Sequence, residues 1–238
     1  MAIDPSNEEN EADAAPPGSS RMTAKAFHDS PGVEDWRVLF WGAHAFYLTA
    51  SFAEAARFVT AIADVAASVG HDPDVDVRPE GVTVRTFSRS DGALSGVDAE
   101  LAALVSAQAA ELGLRADPSQ LKVVGIAVAQ HEGVDTRPFW TAALGYDDLG
   151  DEDAIDPQRR GPHLWFHALD PSVPGRGRTH IDVSVPREVA EQRVEAALAA
   201  GGRVARSNAP HWWTLASPDN HGVDIAAWPD FEDHDEGD

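Results

Sequence analysis

Three consecutive segments decide the fold: Gly70-His71-Asp72-Pro73-Asp74-Val75-Asp76-Val77, then Val82-Thr83-Val84-Arg85-Thr86-Phe87, then Ser88-Arg89-Ser90-Asp91-Gly92-Ala93-Leu94-Ser95-Gly96-Val97-Asp98. Residues 74–77 and 82–87 alternate between apolar and polar, the period of a half-buried strand. Arg78-Pro79-Glu80-Gly81 between them has the residues of a turn. Upstream, Ser51 followed by Glu54 predicts a helix start with a capping box. Phe52, Ala55, Ala56, Val59, Ile62, Ala63 and Ala66 then recur at helical spacing as one apolar stripe, and Gly70 ends the helix. Downstream, Ser95 with Asp98 is a second capping signal. Leu101, Val105, Ala109 and Leu112 line the helix that follows, and Gly113 stops it. Further upstream, residues 36–41 are apolar and buried. Residues 43–49 read as a strand, with Ala43, Ala45, Tyr47 and Thr49 on one face. The order strand, helix, strand, strand, helix predicts an α+β unit, an antiparallel sheet with helices on one face.

After a linker at Asp117-Pro118-Ser119 a different pattern begins. Residues 121–129 form a nearly continuous apolar strand. A helix starts at Thr136-Arg137-Pro138, with Phe139, Trp140, Ala143 and Leu144 as its apolar face, and Gly145 ends it. An acidic loop runs through Asp156-Pro157 to a strand at 163–169. The pattern recurs as a strand at 179–185, a helix at 186–200 closed by Gly201-Gly202, and strands at 203–206, 211–215 and 222–226. The two strand-helix-strand units, starting near Leu121 and Thr179, form an internal repeat. The expected organisation is a disordered acidic tail at 1–30, one domain at 33–115, a second at 119–229, and another acidic tail at 230–238.

Composition narrows the function. The 238 residues include no cysteine, which removes disulfides, thiolate zinc sites and cysteine nucleophiles and fits a reducing cytoplasm. A net charge of −22 and pI ≈ 4.6 argue against nucleic acid as a partner, because no basic patch can displace counterions from phosphate. No apolar run reaches the roughly 20 residues of a membrane helix, and the acidic N-terminus lacks the apolar core of a signal peptide. His131-Glu132 has no second histidine four residues after the first, so it is no zinc-protease motif.

Over about residues 35–114 the chain resembles pterin-4a-carbinolamine dehydratase. The family's pattern is Ala-Glu, three residues, His-His-Pro, an alternating strand, Thr-His, a Gly-rich turn and Leu-Thr-x-x-Asp. His71, Pro73 and Asp98 match it. Asp72 replaces the second histidine, Ser88-Arg89 replaces Thr-His, and Ala67 stands where the family has Glu. The resemblance implies a hydro-lyase acting on 4a-hydroxytetrahydropterin (the carbinolamine of tetrahydrobiopterin), with no cofactor. It also implies a homo-oligomer and a second role as a protein partner. Loss of a hydroxyl near neutral pH needs a proton donor and a base, and histidine suits both. On this reading His71 is the acid/base, Asp72 is its carboxylate partner and Asp98 supports the pocket. Arg89, Ser88 and Pro73 face substrate. Arg89 stays protonated and is no base. The plainer alternatives are a helix-end hydrogen bond for His71 and a capping role for Asp98.

Residues 121–228 resemble the vicinal oxygen chelate superfamily, the glyoxalase-like fold. The matches are Pro138-Phe139-Trp140-x-x-x-Leu144-Gly145-Tyr146, Arg178-Thr179-His180-Ile181-Asp182-Val183 and Ser217-Pro218-Asp219-Asn220-His221-Gly222-Val223-Asp224. The resemblance implies paired βαβββ modules and a divalent metal held by His180 and Asp224, with His167 as a third ligand. The first module offers only Val124 or Gly125 at its matching position, and neither can ligate. Trp165, Trp212 and Trp213 either line an aromatic pocket or fill the core. Three functions stay open: the dehydratase, a glyoxalase-like metal-dependent enzyme, and non-catalytic binding of a small molecule or partner.

Overall fold

In the computed structural model the described residues are 21–88, 92–150, 153–169, 179–218 and 221–227. Their strands divide between two sheets. The first contains β1 Arg37–Leu39, β2 Gly42–Leu48, β3 Asp74–Arg78 and β4 Gly81–Thr86, antiparallel in the order β1-β2-β4-β3. A short β5 Arg115–Ala116 pairs with the end of β2. Two helices, α2 Phe52–Val69 and α3 Gly96–Glu111, cover one face of it. Alternation along β2 sends Ala43, Ala45 and Tyr47 into the core under these helices, where each is fully buried, and turns His44 to the opposite face.

Several local expectations need correction. The 1–30 tail is structured from its later residues: α1 Ala24–His28 is capped by Thr23, Phe27 is fully buried, and Met22 bridges to Leu94. Residues 1–20, and the acidic tail from 230 onward, lie outside the described residues. The stripe of α2 runs through Ala55, Phe58, Ile62 and Ala66, whereas Phe52 is 59% exposed. Glu54 accepts from the amide of Ala50 at 2.6 Å, one residue before the cap. Leu112 caps α3 and faces solvent.

The second sheet has eight strands: β6 Val123–Gln130, β7 Asp147–Leu149, β8 Asp153–Ile155, β9 His163–Ala168, β10 Thr179–Val185, β11 Arg203–Asn208, β12 Trp212–Ala216 and β13 Gly222–Ala227. Their order is β11-β12-β13-β10-β6-β9-β8-β7. Helix α4 Arg137–Leu144 follows β6 and α5 Arg187–Ala199 follows β10. Each half is therefore one strand, one helix and three strands, and its first strand runs parallel to its last, β6 with β9 and β10 with β13. The two first strands pair antiparallel through Ile181 and Ile126, which puts a pseudo-twofold axis at the middle of the sheet. These are the paired βαβββ modules. Strands β7 and β8 replace the acidic loop expected there. Helix α4 packs through Trp140, while Phe139 and Leu144 stay exposed. Trp213 belongs to the core beneath α5, together with Leu215, Ile225 and Val194. No helix among the described residues is long and apolar enough to cross a membrane.

Candidate functional site

His71 lies immediately after Gly70, whose left-handed φ of 71° closes α2, in the three-residue bridge that leads into β3. Its Nε2 is 2.9 Å from Asp98 Oδ1 and 3.1 Å from Thr86 Oγ1. The Thr86 hydroxyl donates its own hydrogen to Asp98 Oδ1 at 2.6 Å. Both neighbours of Nε2 are thus acceptors, so Nε2 carries the proton and Nδ1 holds the lone pair of the neutral ring. Nδ1 has no hydrogen bond among the described residues, and the side chain is 17% exposed. The ring is anchored at its back and open at its front, the arrangement a proton-transfer group needs.

Asp98 is fully buried. Besides His71 and Thr86, it accepts from Ser88 Oγ at 2.6 Å, Ser95 Oγ at 2.9 Å and the Ser95 amide at 2.9 Å. A carboxylate out of water is costly unless its lone pairs are occupied, and here they are. The capping box thus accounts for one oxygen only; the other holds His71. Ser88 is buried behind Asp98, so it supports the carboxylate and does not face a substrate. Asp72 is exposed and makes no hydrogen bond to His71; the expected His71–Asp72 pair is replaced by His71–Asp98. Pro73 is half-buried in the same bridge, and Arg89 lies outside the described residues.

A second cluster stands on the eight-stranded sheet. His180 Nε2 is 3.4 Å from Asp182 Oδ1 and 3.4 Å from Asp224 Oδ2. One potential ligand atom from each residue lies within 4.8 Å of the other two. Donors about 2.1 Å from one ion at tetrahedral angles sit about 3.4 Å apart, the separation of each carboxylate from His180, so these three are the residues that could hold a divalent metal. The Asp224 Oδ1 atom is buried with no hydrogen bond among the described residues, which also suits a ligand. The third member of this cluster is Asp182, whereas His167 stands apart from it. The His167 ring is 5.9 Å from that of His180, and its Nδ1 donates to the Ala168 carbonyl at 3.0 Å. Asp182 was legible as the second member of a His-x-Asp alternation, which puts both side chains on one face of a strand.

Register shows why the first module adds nothing to this set. The pseudo-twofold that relates Ile181 to Ile126 carries His180 to Gly125 and Asp182 to Ala127. Asp182 sits opposite Asp224 and Ala127 opposite Trp165, so Trp165 stands at the position equivalent to Asp224. Its indole Nε1 instead donates to Asp182 Oδ2, orienting that carboxylate. Trp165 therefore serves the cluster, whereas Trp213 is core.

Comparison with known proteins agrees with this division. The model of the pterin 4 alpha carbinolamine dehydratase family matches residues 19–108, and that of the glyoxalase-like domain matches residues 125–226. A curated protein of Roseiflexus castenholzii (strain DSM 13941 / HLO8), named "Putative pterin-4-alpha-carbinolamine dehydratase", is 40% identical over 55 residues, 23% of this chain. The chain spans 59% of that relative's length. The crystal structure of a transcriptional coactivator/pterin dehydratase from Brucella melitensis aligns over 38% of this chain and 99% of its own, at 18% identity and a TM-score of 0.36. The chain is a fusion of a pterin dehydratase-like domain and a glyoxalase-like domain.

Proposed function

We propose that the N-terminal domain is a hydro-lyase acting on 4a-hydroxytetrahydropterin and that His71 alone performs its proton transfers. The observation that carries this reading is the buried Asp98 holding His71 through Nε2, with Nδ1 left open. Dehydration breaks the C4a–O bond, the oxygen leaves as water, and a ring nitrogen gives up a proton. The reaction neither consumes nor releases a net proton. The open Nδ1 can therefore take the proton from the ring nitrogen and pass it to the departing hydroxyl, which leaves as water and returns the imidazole to its starting form. The family's further histidines would speed this cycle without being needed to balance it. The pterin is the small-molecule partner on this reading, and the reaction needs no cofactor. Dehydration of freshly generated 4a-hydroxytetrahydropterin, followed by absorbance, tests it. The wild type should exceed the spontaneous rate, with that excess falling by about two orders of magnitude in His71→Ala. A wild-type rate equal to background would refute it.

The second cluster favours a further reading, that His180, Asp182 and Asp224 hold a divalent ion in the C-terminal domain. Bound there, the ion would act as a Lewis acid toward an oxygen-bearing ligand. The chain's own contribution is the placement of three donors by β10 and β13 and the orientation of Asp182 by Trp165. Metal analysis of protein dialysed against zinc or manganese should give about one equivalent, lost in Asp182→Asn/Asp224→Asn. Equal metal content in wild type and the double variant would refute a site here.

A further inference from the structure

Where the two domains meet, the contacts follow the helix-free face of the first sheet. Register lines up Arg37, His44, Arg85 and Asp74 across β1, β2, β4 and β3. The second domain grips both ends of this row. Arg37 Nε donates to Glu188 Oε1 at 2.8 Å. Asp74 receives a two-pronged contact from Arg159, Nε to Oδ2 at 2.6 Å and Nη2 to Oδ1 at 2.6 Å, while Arg85 Nη1 reaches Oδ2 at 3.3 Å. Between the ends, Phe40 stacks on His163 with ring centres 3.5 Å apart. Phe40 and Arg159, at φ 51° and 55°, are the non-glycine residues with positive φ among the described residues. Left-handed backbone at such residues is strained and persists where surroundings enforce it. Both instances fall at this junction.

We propose that Arg159, from the glyoxalase-like domain, is a positioning residue for the dehydratase site. The proposal rests on the assignment of His71 as the proton-transfer group. His71-Asp72-Pro73 is a bridge between two anchors. Its first end is fixed by α2, through the Gly70 and His71 amides bonded to the Ala66 carbonyl. Its second end is Asp74, the first residue of β3, and β3 is the edge strand of its sheet. The start of an edge strand is paired on one side only and is the first part of a sheet to fray. Arg159 holds that residue by its carboxylate in a partly buried, bidentate geometry, the strong form of the contact.

The loop that presents Arg159 is itself built to be rigid. Asp156 accepts the amides of Gln158, Arg160 and Gly161 at 2.8–2.9 Å, and these bonds hold its carboxyl below the usual range. The Arg159 amide closes the turn onto the Asp156 carbonyl at 2.7 Å. Gly161 lets the Tyr146 hydroxyl pack against the loop, since a Cβ there would stand 2.2 Å from that oxygen and displace it.

The test compares the full-length wild type with Arg159→Ala, Arg159→Lys and Asp74→Asn by amide hydrogen exchange over residues 71–78 and by dehydratase kinetics. Arg159→Ala and Asp74→Asn should each speed exchange in this segment about tenfold or more. They should lower kcat about tenfold with KM held within about twofold, because the bridge sets His71 geometry and not pterin affinity. Arg159→Lys keeps one charged contact and should recover part of both effects. Unchanged exchange in Arg159→Ala and Asp74→Asn overturns the clamp. Faster exchange with unchanged kcat overturns its role in positioning. If the wild type shows no turnover, the assignment of His71 fails, and the exchange result still decides whether Arg159 orders the bridge.

Discussion

Asp98 accepts from Thr86, Ser88, Ser95 and His71 while fully buried. Replacing it by asparagine turns an amide donor toward groups that are themselves donors. Asp98→Asn should therefore lose about 2–3 kcal/mol in urea unfolding, the scale expected when buried donors are left unsatisfied; a loss below about 1 kcal/mol would contradict the hydrogen-bond assignment. The importance of Asp98 was legible, since a Ser-x-x-Asp capping signal is local. Its grip on His71 was not, because the two residues meet only through the packing of α2, β4 and α3. Asp72 was the wrong partner for a simple reason: adjacent residues of an extended segment point to opposite sides. Ser88 likewise read as a substrate-facing group because its burial depends on the sheet around it.

Gly125 gives the corresponding argument for strands. A Cβ there would lie 2.3 Å from Cε1 and Nε2 of His163, so the close approach of β9's histidine to β6 requires glycine. Gly125→Ala should push the His163 ring off Phe40 and cost about 1–3 kcal/mol, seen as a lower calorimetric Tm; an unchanged Tm would mean the ring is not held there. The stripe read along helix α2 holds through Ala55, Val59, Ile62 and Ala66, but it is too wide, since Phe52, Ala56 and Ala63 are exposed, and it misses Phe58, which is fully buried. Alanine satisfies helical spacing on any side, so the alanines could not mark the edges of the stripe. Strands β7 and β8 left no signal, being three residues each and rich in aspartate. The longer strands β6 and β10 and the αL glycines at 70 and 145 were plain from sequence.

Across the junction, two buried histidines tie stability to pH. Burial, aided by the nearby Arg85 charge, lowers His44 and His163 from about 6.5 to about 3. Between those values the unfolded chain binds more protons than the folded one. Their contribution is therefore complete above about pH 6.5 and is lost as pH falls toward 3, at about 1.4 kcal/mol per pH unit for each. His163→Phe keeps a ring against Phe40 and removes one titration. Its unfolding free energy should fall less steeply with acid, by about 1 kcal/mol per pH unit; parallel slopes would contradict the buried, neutral His163. His71 has a buried carboxylate, Asp98, on its ring and an exposed one, Asp72, only as its neighbour in sequence, and the proposed chemistry depends on which of them serves it. Dehydratase kcat measured on folded Asp98→Asn and Asp72→Asn decides this most directly. The account predicts a loss of about a hundredfold for Asp98→Asn and less than about fivefold for Asp72→Asn. The reverse order would contradict it.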